Sequence, residues 1–143
     1  MKINRAEQTR LKELQSYSIL DTSPERDFDN ITKLIAKICG TPIATITLVD
    51  KNREWFKSAV GLEARENDRN ISFCAQAICS DGIFIISDAL KDANFSKNPM
   101  VIGYPHIRFY AGVPLVSPTG HVLGTLAVKD YEPRELLRFK LSP

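Results

Sequence analysis

Three cysteines and two histidines are the residues of this sequence best suited to nucleophilic or metal chemistry. Cys74 and Cys79 are five residues apart, a spacing that on a helix separates them by about 140° and keeps them from facing one ligand together. With Cys39 they form no C-x-x-C pair, so reduced, buried structural thiols are predicted. Neither His106 nor His121 has a carboxylate, thiol or nucleophile at a recognisable motif spacing. The sequence therefore predicts no metal site and no catalytic residues, and hence a protein that is not an enzyme.

The composition is that of one globular domain of ordinary size. The chain has 143 residues, of which 43% are hydrophobic and 25% are charged, values typical of a soluble protein with a packed core. A formal net charge of +2 produces no field that would indicate a nucleic acid or a membrane as partner. The longest apolar stretches are far shorter than the ~20 residues needed to cross a bilayer, and no signal core follows the charged start. A cytoplasmic location is expected.

Two helices are predicted before the first strand. Asn4 is followed three residues later by a glutamate, as in a capping box, which predicts a helix over about residues 4–18. Ser23 and Pro24 are typical of an N-cap and a first helical residue, and they predict a second helix that ends at Gly40. The apolar stripe of this second helix consists of Phe28, Ile31, Leu34, Ile35 and Ile38.

Period-two alternation and turn residues predict five strands, at residues 43–49, 54–60, 83–87, 108–115 and 122–129. Ser72 is expected to cap a short helix between the second and third strands, and Pro114 to cause a bulge or an edge position. The span 88–107 has little periodicity and is predicted to be a long loop with a helical turn at most. Glu132 and Pro133 are predicted to open a final short helix. Hairpins with helices before and between them indicate an α+β fold with an antiparallel sheet.

Several segments, taken in order, resemble one protein family. They are ILDTSPERDFDNITKLIAKICGTPIATITLVD, REWFKSAVGL, SFCAQAI, ISDALKDANFSKNPMV, IRFYAGVPL and LGTLAVKD. Over about residues 19–134 they resemble the GAF domain of bacterial sensory proteins, found ahead of histidine kinases, diguanylate cyclases and phosphodiesterases. The resemblance implies a PAS-related antiparallel sheet of five to six strands in the order 2-1-5-4-3. It places helices on one face of the sheet and, on the other, a ligand pocket that the long loop covers. A single domain over residues 1–143, with a truncated C-terminal helix, is expected.

The resemblance also implies a function, that of a non-catalytic sensory or regulatory domain in bacterial signal transduction. An unidentified small-molecule ligand, a homodimer and, in a longer chain, an output kinase or cyclase domain are the expected partners. The identity of the ligand and of any cofactor stays open. Members that bind cyclic nucleotides carry an Asn-Lys, Phe, Asp-Glu signature in this region; here Pro99 and Met100 stand after Phe95 at its last position, so cyclic nucleotides are disfavoured. Attachment of a chromophore would need a Cys-His pair, and the sequence has none. Lys129 introduces a cation where the subgroup has an apolar residue.

Eight residues are candidates for the pocket that the resemblance implies: Trp55, Phe73, Cys74, Asp88, Asp92, Phe95, Arg108 and Tyr110. Arg108 begins the strand beneath the loop, where its guanidinium can hold a carboxylate or phosphate through two hydrogen bonds. Phe95, Phe109 or Tyr110 can cover a flat ring. The alternative is that Asp88 or Asp92 pairs with Arg108 and pins the loop shut.

Two other functions stay open. One is a stand-alone, thiol-dependent enzyme that reduces free methionine sulfoxide, a reaction known for a member of the family. The other is a dimerisation module with an empty pocket, its space filled by Phe95, Tyr110 and Trp55. Trp55 and the adjacent Phe56 must face opposite sides of their strand, and core packing is predicted for both. The alternative is that one of them lines the pocket or the helix layer, and the sequence does not decide which.

Overall fold

A six-stranded antiparallel sheet forms the centre of the protein, seen in a computed structural model that describes residues 4–135. The strands are β1 (Ile43–Val49), β2 (Arg53–Val60), β3 (Glu66–Asp68), β4 (Phe84–Ile86), β5 (Phe109–Val116) and β6 (Val122–Asp130). The helices are α1 (Arg5–Ser16), α2 (Arg26–Cys39), α3 (Phe73–Ala77) and α4 (Pro99–Ile102). Short 3₁₀ turns follow β3 and β4. The sheet order is β3-β2-β1-β6-β5-β4.

The sheet confirms the α+β fold and the strand order that the resemblance implied. The five predicted strands lie in the order 2-1-5-4-3, and β3 adds a sixth at the free edge of β2. The sequence did not predict β3 because its three residues are polar and only backbone pairing with β2 defines it. Pro114 lies beyond the part of β5 that pairs with β4, at an edge as predicted. Gly124 allows β6 to approach β1, since a Cβ atom there would stand 1.8 Å from the carbonyl oxygen of Thr47.

Helix α1 forms where the sequence predicts it and packs against the sheet. The side chain of Asn4 caps it, accepting a hydrogen bond from the amide of Glu7 at 2.8 Å. Leu14 is fully buried beneath the helix. The helix ends at Ser16, slightly earlier than predicted, because Ser18 has a φ of 51°, which lies in the left-handed region.

Helix α2 begins at Arg26, two residues later than predicted. Ser23 and Pro24 do not start the helix because the chain before it is held by the sheet. The carbonyl oxygen of Ser23 accepts a hydrogen bond from Nζ of Lys57 at 2.7 Å, and it is the carbonyl of Glu25 that accepts the bond from the amide of Asp29 at the start of the helix. The predicted end is confirmed, since Gly40 closes the helix with a φ of 65°.

The apolar stripe of α2 points largely away from the sheet. Its exposed members are Ile31, Leu34 and Ile38, at 46%, 59% and 55%. The residues buried against the sheet are Thr32, Ala36 and Cys39. These small side chains let the helix lie close to the strands, and Thr32 Oγ1 comes within 2.8 Å of Ser58 Oγ. A face of large apolar residues is therefore left on the surface of the protein.

The loop between β4 and β5 covers the other face of the sheet, as predicted. It contains two single turns, a 3₁₀ turn and α4, rather than one. Its buried residues are Ala89, Phe95, Met100, Val101 and Ile107. They pack with residues of α3 and of the sheet to form the largest hydrophobic cluster of the protein.

The segment after β6 is tied to the end of α2. Nε of Arg134 lies 2.5 Å from Asp130 Oδ2, and its Nη1 donates to the carbonyl oxygen of Cys39 at 2.8 Å. The helix predicted to open at Glu132 and Pro133 is not present as far as residue 135, and the rest of it lies outside the described residues. None of the helices described is long and apolar enough to span a bilayer.

Candidate functional site

Four aromatic side chains fill the space over the sheet where the ligand pocket was expected. Phe73 of α3 stacks on Phe95 of the loop, with 4.4 Å between ring centroids, and on Tyr110 of β5 at 5.5 Å. Phe84 meets the rings of Phe95 and Tyr110 edge-on at 6.3 and 6.1 Å. The three predicted site residues among them are each at most 3% exposed. The structure thus brings them together, but their rings contact one another.

Cys74 lies beside this aromatic cluster in a chain of hydrogen bonds. Its Sγ accepts from Thr125 Oγ1 at 3.2 Å, and Thr125 Oγ1 lies 3.0 Å from the hydroxyl of Tyr110. Burial raises the pKa of the Cys74 thiol to about 12, and it raises the pKa of Tyr110 well above its usual value. Both groups therefore stay uncharged at neutral pH. Cys39 is also buried, whereas Cys79 follows the end of α3 and is exposed, so the prediction of burial is wrong for Cys79.

Trp55 does not belong to this cluster. It lies on the face of the sheet that α1 covers, where it packs with Leu14 and Leu48. Phe56 faces the other way, and its ring centroid lies 5.4 Å from Nζ of Lys129. The structure therefore resolves the alternative that the sequence left open, because Phe56 rather than Trp55 lies on the face covered by the loop.

The polar candidates of the loop hold its backbone. Asp88 and Asp92 each accept a hydrogen bond from the amide two residues later, at 3.1 and 2.8 Å. Nη1 of Arg108 donates to the carbonyl oxygen of Val101 at 2.9 Å. Among residues 4–135 neither aspartate forms an ion pair with Arg108, so the predicted ion pair is wrong. The arginine fastens the loop all the same, through a backbone carbonyl instead of a carboxylate.

An open cavity remains on this face, beside the aromatic cluster. Its volume is about 390 Å³, and it lies between the segment 62–71, α4, the approach to β5 and the end of β6. Its described lining residues are Leu62, Glu63, Ala64, Asn67, Ile71, Pro99, Met100, Tyr104, Pro105, Ile107 and Lys129. None of the eight predicted site residues is among them. Apolar walls with a few polar groups at this volume are typical of a small-molecule site.

One buried cation lines this cavity. Lys129 is 3% exposed, and its Nζ lies 5.4 Å from the ring centroid of Phe56 and 5.9 Å from that of Tyr110. Within the described part of the chain, Nζ has no hydrogen-bond acceptor and no carboxylate at ion-pair distance. The sequence showed Lys129 as an unusual cation in an apolar strand, which was the signal for this position. The candidate residues had not included it.

A buried carboxylate shares the interior with this cation. Glu54 is 0% exposed, and its two oxygens accept hydrogen bonds from Ser72 Oγ at 2.7 Å and from Asn67 Nδ2 at 2.8 Å. Asn67 also lines the cavity, so the residue that donates to the Glu54 carboxylate is itself part of the cavity wall. Glu54 is thus satisfied by neutral donors, and among the described residues it forms no ion pair with Lys129.

A wider groove of about 570 Å³ lies on the helix side of the sheet, between α1, the α1–α2 connection and the β5–β6 turn. Most of its lining is apolar. The one carboxylate among its described lining residues, Glu25, is already paired with Nζ of Lys57 at 2.5 Å. The described lining of the groove therefore offers no unpaired carboxylate and no Lys or Arg, whereas Lys129 lines the cavity.

Comparisons with known proteins agree with this architecture. The GAF domain family model matches residues 23–142. A cyclic di-GMP phosphodiesterase of Pseudomonas aeruginosa is 41% identical over 128 residues, which cover 90% of this chain and 22% of that protein. The chain thus spans about a fifth of the length of this relative.

Two solved structures show the same fold at low identity. The free methionine-R-sulfoxide reductase from Neisseria meningitidis, in complex with its substrate, has a TM-score of 0.62 at 17% identity, covering 99% of this chain and 86% of that one. The GAF domain from the Acinetobacter phosphoenolpyruvate-protein phosphotransferase has a TM-score of 0.58 at 17% identity, covering 92% and 81%. Likeness at this identity concerns the fold and not the activity.

Proposed function

This chain belongs to the GAF domain family, and we propose that it is a non-catalytic regulatory module of a bacterial signalling protein, which binds a small molecule and dimerises to control an output domain. The observation that carries the proposal is the 41% identity with a cyclic di-GMP phosphodiesterase of which the chain spans about a fifth. Most of that relative lies outside the matched segment. A similar segment within a much longer enzyme supports a controlling role for this chain.

The positions of the thiols support a non-catalytic role over sulfoxide reduction. A cysteine that reduces a sulfoxide attacks sulfur as the thiolate. Burial raises the pKa of Cys74 to about 12 and keeps it protonated, while Cys39 lies on α2, on the opposite face of the sheet from the cavity. Cys79 is exposed but does not line the cavity. Nor do the described residues contain a group of three or more His, Cys, Asp or Glu side chains that could hold a metal ion.

The exposed stripe of α2 supports dimerisation with a second copy of this chain. Ile31, Leu34 and Ile38 lie on one side of the helix and leave a continuous apolar strip in solvent. The first turn of α2 carries Asp27 and its last turn carries Lys37. Two antiparallel copies of the helix would therefore bring opposite charges together at both ends of the strip. A two-fold dimer uses one such self-complementary patch twice.

Sedimentation of the chain and of Leu34→Glu tests this interface. The wild type is expected to sediment as a dimer and Leu34→Glu as a monomer, because a buried carboxylate at the centre of the interface has no partner. Lys33→Glu is the control, since it changes the charge of the same helix outside the stripe. A monomeric wild type, or a Leu34→Glu variant that dimerises as strongly as the wild type, would contradict this interface.

The regulatory role is tested by joining the chain to the enzyme it resembles. In the Pseudomonas phosphodiesterase the matched segment is replaced by this chain, and hydrolysis of cyclic di-GMP is measured. The chimera is expected to hydrolyse cyclic di-GMP, whereas the chain alone is expected not to. Introducing Leu34→Glu into the chimera is expected to change the rate of hydrolysis several-fold. Hydrolysis by the chain alone would refute a non-catalytic role. A chimera whose rate is the same with and without Leu34→Glu would refute control through dimerisation.

A further inference from the structure

Among the residues that the structure describes, Lys57 and Lys129 are the buried lysines, and of these two only Lys57 has hydrogen-bond acceptors. Nζ of Lys57 donates to Thr22 Oγ1 at 2.8 Å and to the carbonyl oxygen of Ser23 at 2.7 Å, and it pairs with Glu25 Oε2 at 2.5 Å. Lys129 is 3% exposed against 1% for Lys57, yet among the described residues its ammonium has no such acceptor. The difference between them lies in the surroundings, because Lys129 faces a cavity.

A buried ammonium without acceptors is costly. Burial removes its hydration, and proteins normally compensate with a carboxylate or with several hydrogen bonds. The faces of Phe56 and Tyr110, at 5.4 and 5.9 Å from Nζ of Lys129, attract the cation but accept no ordinary hydrogen bond. Glu54 lies in the same interior, and its oxygens are taken by Ser72 and Asn67. At the cavity, the Lys129 ammonium therefore has room for an acceptor that the described residues do not supply.

We propose that the cavity lined by Lys129 binds a small organic carboxylate with an apolar body, and that the carboxylate accepts hydrogen bonds from the Lys129 ammonium. The inference rests on the proposed function and names the chemical class of the ligand. The cavity, at about 390 Å³, is of the size that small metabolites occupy. The ammonium of Lys129 would orient the ligand, and the remaining walls of the cavity would supply the contact area.

The charges of the lining favour a single negative charge. Lys129 is the one Lys or Arg among the described lining residues, so a phosphate dianion would find no second cation. Glu63 also lines the cavity, and its carboxylate repels ligands that carry further negative charge. A monocarboxylate meets both conditions.

The shape and polarity of the walls favour an apolar body. Leu62, Ile71, Met100 and Ile107 are apolar residues of the lining. Contact with these side chains removes apolar surface of the ligand from water and so strengthens binding. A carboxylate with little hydrocarbon has little such surface to bury. Asn67 is a neutral polar residue of the lining, and its side-chain amide already donates to Glu54.

Calorimetric titration of the chain with three probes tests the ligand class. Benzoate has the carboxylate and the apolar ring, benzamide is its neutral counterpart, and acetate lacks the apolar body. Benzoate is expected to bind at least about tenfold more tightly than benzamide, the effect of one hydrogen bond to a charged group, and more tightly than acetate. No binding of benzoate to the wild type, or equal binding of benzoate and benzamide, would overturn the proposal.

The variant Lys129→Met assigns the effect to one residue. It keeps an unbranched side chain only one atom shorter and removes the charge, so benzoate should bind at least about tenfold more weakly while benzamide binding is unchanged. Lys91→Met is the matched control, because Lys91 is exposed on the 3₁₀ turn after β4 and does not line the cavity. Benzoate binding by Lys129→Met as tight as by the wild type would refute the role of Lys129.

A measurement on the wild type keeps the test decisive if Lys129→Met does not fold. With isotope-labelled lysine, the NMR signals of the side-chain Cε groups are followed during titration with benzoate. The Lys129 signal should shift, whereas that of Lys57, which is saturated with partners on the helix side of the sheet, should stay in place. A shift of neither signal, or of both equally, would count against the proposal.

The chimera separates this inference from the proposed function. Its response to Leu34→Glu does not involve any carboxylate. A chimera that responds while benzoate fails to bind would retain the regulatory role and refute the ligand class. Benzoate binding by the chain, together with a chimera whose rate is unchanged by Leu34→Glu, would in contrast support the ligand class and refute control through dimerisation.

Discussion

Replacement of Glu7 by glutamine is expected to loosen α1 from the sheet. The carboxylate of Glu7 accepts hydrogen bonds from Nε and Nη2 of Arg10 at 2.8 and 3.0 Å and from Nη1 of Arg69 at 2.6 Å. Arg10 in turn donates to the carbonyl oxygen of Val49 at 2.7 Å. Glu7 therefore orients the arginine that fastens α1 to the end of β1. Glutamine keeps the size of the side chain but removes its charge.

The expected loss of stability follows from the pKa of Glu7, which is lowered from 4.5 to about 2. The hydrogen bond to Arg10 is the main cause; burial acts against it, and Arg69 lowers the pKa further. This difference corresponds to at most about 3 kcal/mol of stability. Because the side chain is 20% exposed, solvent screening reduces the expected loss in Glu7→Gln to about 1–2 kcal/mol. A lowered folded-state pKa stabilises the protein above the unfolded pKa. The contribution is thus complete above pH 4.5 and disappears as the pH falls toward 2.

Urea unfolding of the wild type and Glu7→Gln over a pH series measures this contribution. The two proteins should differ by about 1–2 kcal/mol at neutral pH and converge in acid. Asp81→Asn is the control, because Asp81 is an exposed turn residue for which no ion pair occurs in the described residues. A difference between wild type and Glu7→Gln that stays constant from neutral pH down to about pH 2, or that is absent at neutral pH, would refute this reasoning.

Two further predictions concern the interior of the loop-covered face. In the native protein, iodoacetamide should modify Cys79 rapidly and leave Cys74 unmodified, since burial raises the pKa of Cys74 to about 12; mass spectrometry of the digested protein would show the adduct, and rapid modification of Cys74 would contradict its burial. Phe95→Ala should reduce the free energy of unfolding by about 3–5 kcal/mol because it opens a hole between Phe73 and Phe84. Urea unfolding measures the loss, and a value below about 1 kcal/mol would show that the cluster closes around the hole.

Elements with a strong local pattern could be predicted from the sequence. The alternation of residues 43–49 predicted β1 with the bounds that the structure has, and Ser72 caps α3 as expected, its Oγ accepting from the amide of Ala75. The face of α2 could not be predicted in the same way. An apolar stripe marks a helix whether the stripe meets the core or a second surface, and here the small side chains took the core side.

Some of the predicted site residues lie together in the structure, and others do not. Phe73, Phe95 and Tyr110 do come together, because the strand order places their elements side by side. Whether such rings enclose a ligand or stack on one another depends on separations of a few ångströms between elements, which residue types alone do not encode. Trp55 fell on the wrong face for a related reason, since alternation shows that two neighbours diverge but not which one points to which layer.

The register of β6 connects the aromatic cluster with the cavity. Thr125, Ala127 and Lys129 are spaced by two and share one face of the strand. Thr125 contacts the hydroxyl of Tyr110, Ala127 belongs to the hydrophobic cluster, and Lys129 lines the cavity. Along one strand the surroundings thus change from packed rings to open volume, and the lysine stands where the volume begins. Closing the cavity by collapse would enclose an unpaired charge, so the same residue that would recognise a carboxylate also opposes the loss of the space that would hold it.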